Sequence, residues 1–204
     1  GSRRGGVPVG NFGDAEVFSL SGTKPVTTAE GGLVSSRDSQ FLSRFVHARA
    51  YGFQHDYNSK RLGLNGKMSE LHAALGLLTL RRIEDALERR AAHVQAYRAR
   101  LGRLAGLHFQ KVRAEDRSSS KDFAVLFPAP AQRDRVEAAL HEASVQTKRY
   151  FRPCHRMDAF ATYATGALGA TDDVYARILC LPLFESLTAA QIDQICTVVE
   201  RTYG

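Results

Sequence analysis

The chain has 204 residues, 44% of them hydrophobic, and its 28 lysines and arginines outnumber its 21 aspartates and glutamates, for a net charge of +7. This hydrophobic fraction can bury a core and argues against disorder, while the charge suits a polyanionic partner such as nucleic acid or a phosphorylated small molecule. An odd cysteine count without metal-type spacing (Cys154, Cys180, Cys196) favours reduced thiols and a cytoplasmic protein. The apolar run at 75–80 is too short to cross a bilayer, so no membrane segment is expected.

The first part of the chain predicts two strands on either side of a turn that contains a lysine. Apolar residues at 15–20 and 32–36 are strand-like, and Lys24 lies between them among serine, threonine and glycine. A helix is expected at 38–50. The irregular segment that follows, at 51–66, is long for a loop, which is typical of a functional segment. This pattern indicates two buried strands with one ammonium group at the turn where they meet.

A long helix is predicted next, from Lys67 to about Leu101, because apolar residues recur at steps of three, four or seven. The pattern then changes to short elements. These are expected strands at 107–112, 122–127 and 145–151, expected helices at 130–143, 172–178 and from 188 onward, and an extended segment at 179–184. The last helix opens at Thr188 with a Thr-Ala-Ala-Gln capping box. Such a mixture is typical of a small α+β layer, so we place a domain boundary near residue 100, with domains at 1–100 and 101–204.

Lys24 is the first candidate for chemistry. The Gly-x-x-x-x-Gly-Lys-Ser/Thr phosphate-loop pattern does not fit, because Thr23 precedes the lysine and Pro25, which has no N–H, follows it. Partial burial in a turn would disfavour the ammonium form and make the amine available as a nucleophile toward carbonyls. Ser19, five residues earlier, would be placed to bind a phosphate at the same turn. An ordinary solvated turn lysine explains the spacing as well, and no His-x-x-x-His or Cys-x-x-Cys pair supports a metal site.

Four segments resemble, in order, those of the DegT/DnrJ/EryC1/StrS aminotransferase family. The first, GDAEVFSLSGTKPVTTAEGGLVSSRD at 13–38, resembles the segment that carries the family's Schiff-base lysine. The others are GLNGKMSELHAALGLLTLRRIED at 63–85, YFRPCHRMDAF at 150–160 and ILCLPLFESLTAAQID at 178–193. The resemblance covers nearly the whole chain, and four segments at family-like spacing are more specific than any one alone.

This resemblance implies an α/β protein with the C-terminal part of a type I, aspartate aminotransferase-like fold: the tail of the large domain followed by a small α+β domain. It implies pyridoxal 5′-phosphate (PLP) as cofactor, attached to Lys24, with Ser19 at its phosphate and Asn65 reaching the partner's phosphate in a homodimer. Tyr150 and His155 fall where the family contacts sugar nucleotide. A lysine at position 24, where the dehydrating branch has histidine, favours transamination from an amino acid, by family analogy glutamate, to a nucleotide-linked keto sugar.

Several alternatives remain open on the residues alone. Asn65 also suits the N-cap of the long helix, and Tyr150 and His155 also suit ordinary packing. Ser21 stands where many family members have histidine. The family's length places the acid that pairs with the pyridine nitrogen in a front half that would precede Gly1, so we expect a C-terminal half that is inactive alone. The rival hypotheses are a non-catalytic fragment or split-enzyme subunit and, without a recognisable motif for it, a basic nucleic-acid-binding protein.

Overall fold

The computed structural model describes residues 1–54, 56–163 and 166–204. The described residues form two compact units. One unit comprises Gly1–Leu87 with Arg113–Ser119, and the other comprises Glu88–Val112 with Ser120–Gly204. The predicted boundary near residue 100 concerns the domains of the whole enzyme and stays a prediction.

The first unit consists of two antiparallel hairpins and helices. Its elements are β1 (Arg3–Arg4), β2 (Val7–Pro8), β3 (Ala15–Ser19), β4 (Gly32–Ser36), α1 (Ser39–Ala48), α2 (Glu70–Arg81) and the beginning of α3 (Ile83–Leu101). β1 pairs with β2, and β3 pairs with β4 so that Ser19 lies opposite Gly32. The two strands predicted around Lys24 are therefore present, and the lysine lies in the turn that joins them.

The expectation that these two strands are buried is wrong for the described residues. No residue of β3 or β4 is buried, and the side chain of Val17, in the middle of β3, is 78% exposed. The physical reason is that β3 and β4 form a sheet of only two strands. A two-stranded hairpin buries little apolar surface unless another layer covers it. Helix α2 likewise has no buried residue, although it carries five leucines.

The single long helix predicted from Lys67 to Leu101 is also wrong, because the structure has two helices separated by Arg82. The Arg82 N–H donates to the Thr79 carbonyl at 3.2 Å, three residues back, so the α-helical bonding pattern tightens there. The Thr79 hydroxyl, in turn, lies 3.1 Å from the Gly76 carbonyl. Hydroxyl bonding of this kind bends helices, and apolar periodicity does not reveal it.

The second unit contains a three-stranded antiparallel sheet and three complete helices. Its elements are the rest of α3, β5 (His108–Phe109), β6 (Phe123–Leu126), α4 (Pro130–Glu142), α5 (Gly169–Arg177), β7 (Ile178–Leu181) and α6 (Ala189–Tyr203), with 3₁₀ helices at Cys154–Arg156 and Asp158–Tyr163. The strand order is β5-β6-β7. All four residues of β7 are buried, which explains why that strand reads as continuously apolar rather than alternating.

The strand predicted at 145–151 is not formed, and β7 supplies the third strand instead. Only Lys148 pairs with the sheet, exchanging backbone hydrogen bonds of 3.1 and 2.8 Å with Cys180. The next residue, Arg149, directs its guanidinium to Glu137 and Asp134 on α4. These hydrogen bonds join the Arg149 side chain to α4, and backbone pairing with the sheet ends after Lys148.

The described hydrophobic core lies almost entirely in the second unit. Tyr97 of α3 is fully buried, stacks on Phe123 at 4.7 Å between ring centroids, and donates a 2.9 Å hydrogen bond to the Pro182 carbonyl. The predicted capping box at the start of α6 is confirmed, because the Thr188 hydroxyl accepts from the Gln191 N–H and the Gln191 side chain accepts from the Thr188 N–H. Among the described residues, no helix combines the length and the apolar character needed to span a bilayer.

Candidate active site

The turn between β3 and β4 holds two of the predicted cofactor residues. Lys24 is half-buried, and its N–H donates to the Ser21 carbonyl at 3.0 Å. Ser19 ends β3 with an exposed side chain, and its hydroxyl oxygen lies 3.5 Å from that of Ser21. The turn thus presents one amine and two hydroxyls on a short stretch of backbone.

The chemistry of this donor set fits an anion beside an amine. Residues 19–28 contain no carboxylate, so nothing in the turn repels a phosphate. The backbone N–H groups of Gly22 and Thr23 find no acceptor among the described residues and are free to donate. Hydroxyl and N–H donors clustered in a turn are a usual way to bind phosphate. The turn therefore fits the phosphate and the carbonyl of PLP.

Two aspartates, Asp14 and Asp38, lie in the sequence on either side of this turn. The carboxylate of Asp38 is occupied as the N-cap of α1, where it accepts from Gln40 N at 2.8 Å and Phe41 N at 3.0 Å. Asp14 is exposed ahead of β3, and its backbone carbonyl accepts from Ser36. The identity of the acid that pairs with the pyridine nitrogen, expected outside this chain, stays a prediction.

Helix α2 contacts the lysine turn, which the sequence analysis missed. The Thr79 hydroxyl bonds to the backbone of Thr27, and Gly76 lies directly against the side chain of Thr28. The only signal in the sequence was a glycine in the middle of a leucine-rich helix. Such a glycine often marks a place where another segment comes close to the helix backbone.

Asn65 lies in the segment between α1 and α2 with an exposed side chain. The backbone on both sides of it is fixed, because Leu64 N donates to Ala48 O and Gly66 N donates to Arg49 O, both at 2.8 Å. The alternative in which Asn65 caps the following helix is wrong. Helix α2 begins at Glu70, and its N-cap is Ser69. The Asn65 amide is thus held at a fixed position without a role in starting the helix.

Tyr150 is half-buried in the second unit, near Cys180. Burial is the main cause that raises the pKa of Tyr150, with the nearby Cys180 adding to it. The ammonium of Lys148 lies 5.9 Å from the centre of the Tyr150 ring. These contacts are those of a packed side chain, and substrate binding by Tyr150 stays a prediction.

His155 takes part in a polar cluster that spacing along the chain did not reveal. Its Nε2 lies 2.9 Å from Oδ1 of Asp172, and Nε of Arg156 lies 2.6 Å from the same oxygen. The hydrogen bond from Arg156, and secondly that from His155, lowers the pKa of the Asp172 carboxyl. Asp172 was missed because 17 residues separate it from His155. Lys24, Ser19 and Asn65 thus share the first unit, while Tyr150 and His155 share the second.

The two units together define the C-terminal part of a type I, aspartate aminotransferase-like fold. The crystal structure of a DegT/DnrJ/EryC1/StrS aminotransferase from Brucella abortus matches with a TM-score of 0.92 and 24% identity, over 100% of this chain and 54% of that one. The model of the DegT/DnrJ/EryC1/StrS aminotransferase family matches residues 1–200, and the chain belongs to that family.

Curated relatives carry names of sugar-modifying enzymes. GDP-perosamine synthase from Escherichia coli O157:H7 is 28% identical over 214 residues, which cover 100% of this chain and 56% of that protein. The dTDP-4-amino-4,6-dideoxy-D-glucose transaminase of Shigella dysenteriae is 27% identical over 195 residues, covering 92% of this chain and 52% of that protein. The chain spans about half the length of the curated relatives it matches.

Proposed function

We propose that the enzyme containing these residues is a PLP-dependent transaminase that moves an amino group from glutamate to a nucleotide-linked keto sugar. The observation that carries this proposal is the half-buried Lys24 in a turn rich in hydroxyl and N–H donors, within a chain that the family model matches over residues 1–200. The names of the two curated relatives support an amino-sugar product and a nucleotide carrier. Three free thiols suit a reducing compartment, and we place the enzyme in the cytoplasm.

Lys24 has two roles in this proposal. Its Nζ would hold the cofactor by bonding to the carbonyl carbon with loss of the carbonyl oxygen as water, and the freed amine would take up a proton as base and return it as acid. Bound PLP supplies the electron sink that lets the amino group leave the donor and enter the acceptor. Ser19 donates its hydroxyl to the phosphate, together with the free N–H groups of Gly22 and Thr23. In this proposal, the acid that pairs with the pyridine nitrogen is contributed by a residue that is not among these 204.

We also propose that the whole enzyme is a homodimer in which Asn65 completes the partner's phosphate site. The fixed backbone and exposed amide of Asn65 support a role directed outward from its own unit. Its surroundings agree with this, since Tyr57 and Leu62 of the same segment are 95% and 99% exposed. Exposed apolar side chains on an ordered segment are typical of a surface that another chain covers.

The family match removes the support for a nucleic-acid-binding protein, since the net charge was its only basis. A non-catalytic fragment or split-enzyme subunit remains an alternative. One observation favours it: the first unit has almost no core, with Ala86 and Leu87 as the buried hydrophobic residues among those described there. We therefore propose that the chain needs a further segment, in the same polypeptide or in another, before it binds PLP firmly and turns over substrate.

The two half-reactions are tested separately on the complete enzyme. Loaded with PLP, the enzyme should lose its visible absorbance when glutamate is added and release 2-oxoglutarate. Adding GDP- or dTDP-linked keto sugar should restore the absorbance and give the amino sugar, detected by mass. The proposed donor is wrong if glutamate leaves the spectrum unchanged while another amino acid bleaches it. The substrate class is wrong if no nucleotide-linked keto sugar restores the absorbance.

Replacing Asn65 with alanine should weaken PLP retention about tenfold while leaving the melting temperature nearly unchanged, because a lost charge-assisted hydrogen bond costs on the order of 1.5 kcal/mol. The matched control is Ser69→Ala, which removes the real N-cap of α2 and should cost about 1 kcal/mol of stability. Dialysis against buffer, followed by absorbance of the remaining cofactor, measures retention. Unchanged PLP affinity in Asn65→Ala would contradict the proposed role.

Replacing Asp172 with asparagine should raise KM for the nucleotide-linked keto sugar up to about fivefold and change kcat less, since exposed ion pairs contribute modestly. The change releases His155 and Arg156, which Asp172 orients. The control is Asp173→Asn, which breaks the neighbouring pair with Arg177. The pKa of Asp172 is lowered in the fold, so its ionised carboxylate stabilises the folded protein at neutral pH. This stabilisation is lost as pH falls through the folded-state pKa. Equal KM values in the two variants would argue against His155 as a substrate contact.

A further inference from the structure

The lysine turn is closed first by bonds among its own residues. The Leu20 carbonyl accepts from Thr28 N at 2.9 Å and from the Thr27 hydroxyl at 3.1 Å, and Leu20 N donates to Gly31 O at 2.9 Å. The buried Thr28 hydroxyl donates to the Glu30 carbonyl at 2.8 Å. These hydrogen bonds join the two ends of the turn. Lys24 lies in the part of the turn between those ends.

A second attachment of the lysine turn comes from α2. The Thr79 hydroxyl accepts from Thr27 N at 3.2 Å and is placed to donate to Thr27 O at 3.0 Å. Its single hydrogen serves either that carbonyl or the Gly76 carbonyl at 3.1 Å, one at a time. One side chain therefore lies within hydrogen-bond distance of both backbone polar groups of Thr27, only three positions after Lys24.

The close approach of the helix makes this attachment possible. A Cβ added at Gly76 would lie 2.6 Å from Cγ2 of Thr28, whose residue is 1% exposed. A glycine inside a helix costs about 0.5–1 kcal/mol relative to alanine, so its presence here calls for a packing reason. Contact between the Gly76 backbone and Thr28 supplies that reason, and it brings Thr79, one turn further along α2, within reach of Thr27.

We propose that Thr79 is a positioning residue for Lys24. This proposal rests on the proposed role of Lys24. It adds that Thr79 on α2 determines which positions the Lys24 amine can reach. The lysine stem is flexible but of limited length. The positions that the amine can reach therefore depend on where the turn holds the Lys24 backbone. Because a misplacement of about 1 Å can cost up to about a hundredfold in rate, losing the Thr79 hydroxyl should slow bond formation between Lys24 and PLP about tenfold.

The test compares four forms of the complete enzyme: wild type, Thr79→Val, Thr79→Ser and the control Thr147→Val. The Thr147 hydroxyl is buried without a hydrogen-bond partner among the described residues, so its removal has no bond to break. Each apoenzyme is mixed with PLP, quenched with borohydride at set times, and digested. Mass spectrometry of the Lys24 peptide gives the rate of attachment, and thermal melting gives stability. A fifth form, Gly76→Ala, is added to these four and pushes the turn away from α2 while keeping the Thr79 hydroxyl.

We expect slow attachment in Thr79→Val and Gly76→Ala, and nearly normal attachment in Thr79→Ser and Thr147→Val. A wild-type rate in Thr79→Val, with Lys24 labelled, would overturn the positioning role and leave the proposed function standing. Equal slowing and equal loss of melting temperature in Thr79→Val and Thr79→Ser would also overturn it, because side-chain packing alone would then explain the effect. If Thr79→Val does not fold, a wild-type rate in Gly76→Ala overturns the role. No labelling of Lys24 in wild type would instead overturn the proposed function.

Discussion

Replacing Lys24 with alanine should lower transamination by the complete enzyme at least about a thousandfold, because the variant loses both the group that holds the cofactor and the group that moves the proton. Nothing else in the turn replaces it, since residues 19–28 contain no second amine, histidine or carboxylate. The visible absorbance of the lysine-bound cofactor should disappear as well. Single-turnover kinetics with glutamate and the absorption spectrum of the PLP-loaded protein measure the two effects separately.

Two variants serve as controls for this prediction. Lys24→Arg keeps the positive charge but should be as inactive as alanine, because a guanidinium remains protonated and does not bond to a carbonyl. Lys111→Ala removes an exposed lysine from the second unit and should leave activity unchanged. If Lys24→Ala keeps the lysine-type spectrum, another residue holds the cofactor and the assignment of this turn fails.

The 204 residues alone should bind PLP weakly and show no turnover, although the second unit should be folded. The described core residues of the second unit include fully buried Tyr97, Leu101, Phe127 and Val125. In the first unit, by contrast, α2 carries exposed leucines, with Leu71 at 85% exposure. Backbone amides of the second unit should therefore resist hydrogen exchange far longer than those of the lysine hairpin.

Supplying the part of the family's fold that these residues do not span, in the same polypeptide or as a separate chain, should restore tight PLP binding and slow the exchange of β3, β4 and α2. A spectral titration with PLP before and after addition measures binding, and hydrogen exchange with mass spectrometry locates the protection. Restoration by a separate natural chain would establish the split-enzyme alternative. Stable cofactor attachment and turnover by the 204 residues alone would contradict the proposal that they are half of a catalyst.

Much of the fold could be predicted where the information is local. The strands around Lys24 and the capping box at Thr188 depend on neighbours within a few positions, so the pattern of residues was sufficient. The end of α2 was not predictable in this way. Its break at Arg82 accompanies bonding by the Thr79 hydroxyl, whose partner Thr27 lies 52 residues earlier. The periodicity of apolar residues along the chain does not indicate such a contact.

The same distinction applies to the candidate site. Lys24 and Ser19 belong to one short segment, so the sequence alone placed an amine and a hydroxyl at one turn. Asn65 and Ser69 are both good N-cap residues, and the sequence could not choose between them. The bonds from Leu64 N and Gly66 N to the end of α1 hold Asn65 before the helix begins, which leaves the cap to Ser69.

By itself, the sequence determined the lysine turn, the order of the family's motifs and the mixed α/β character. Each of these features depends on residues that are close together in the chain. Only the tertiary structure decided that Thr79 fastens the lysine turn, that Asp172 orients His155, and that β7 rather than 145–151 completes the sheet. Those choices depend on which surfaces meet when the chain folds. Hydrogen bonds between residues 17, 32 or 52 positions apart have no fixed spacing from which they could be predicted.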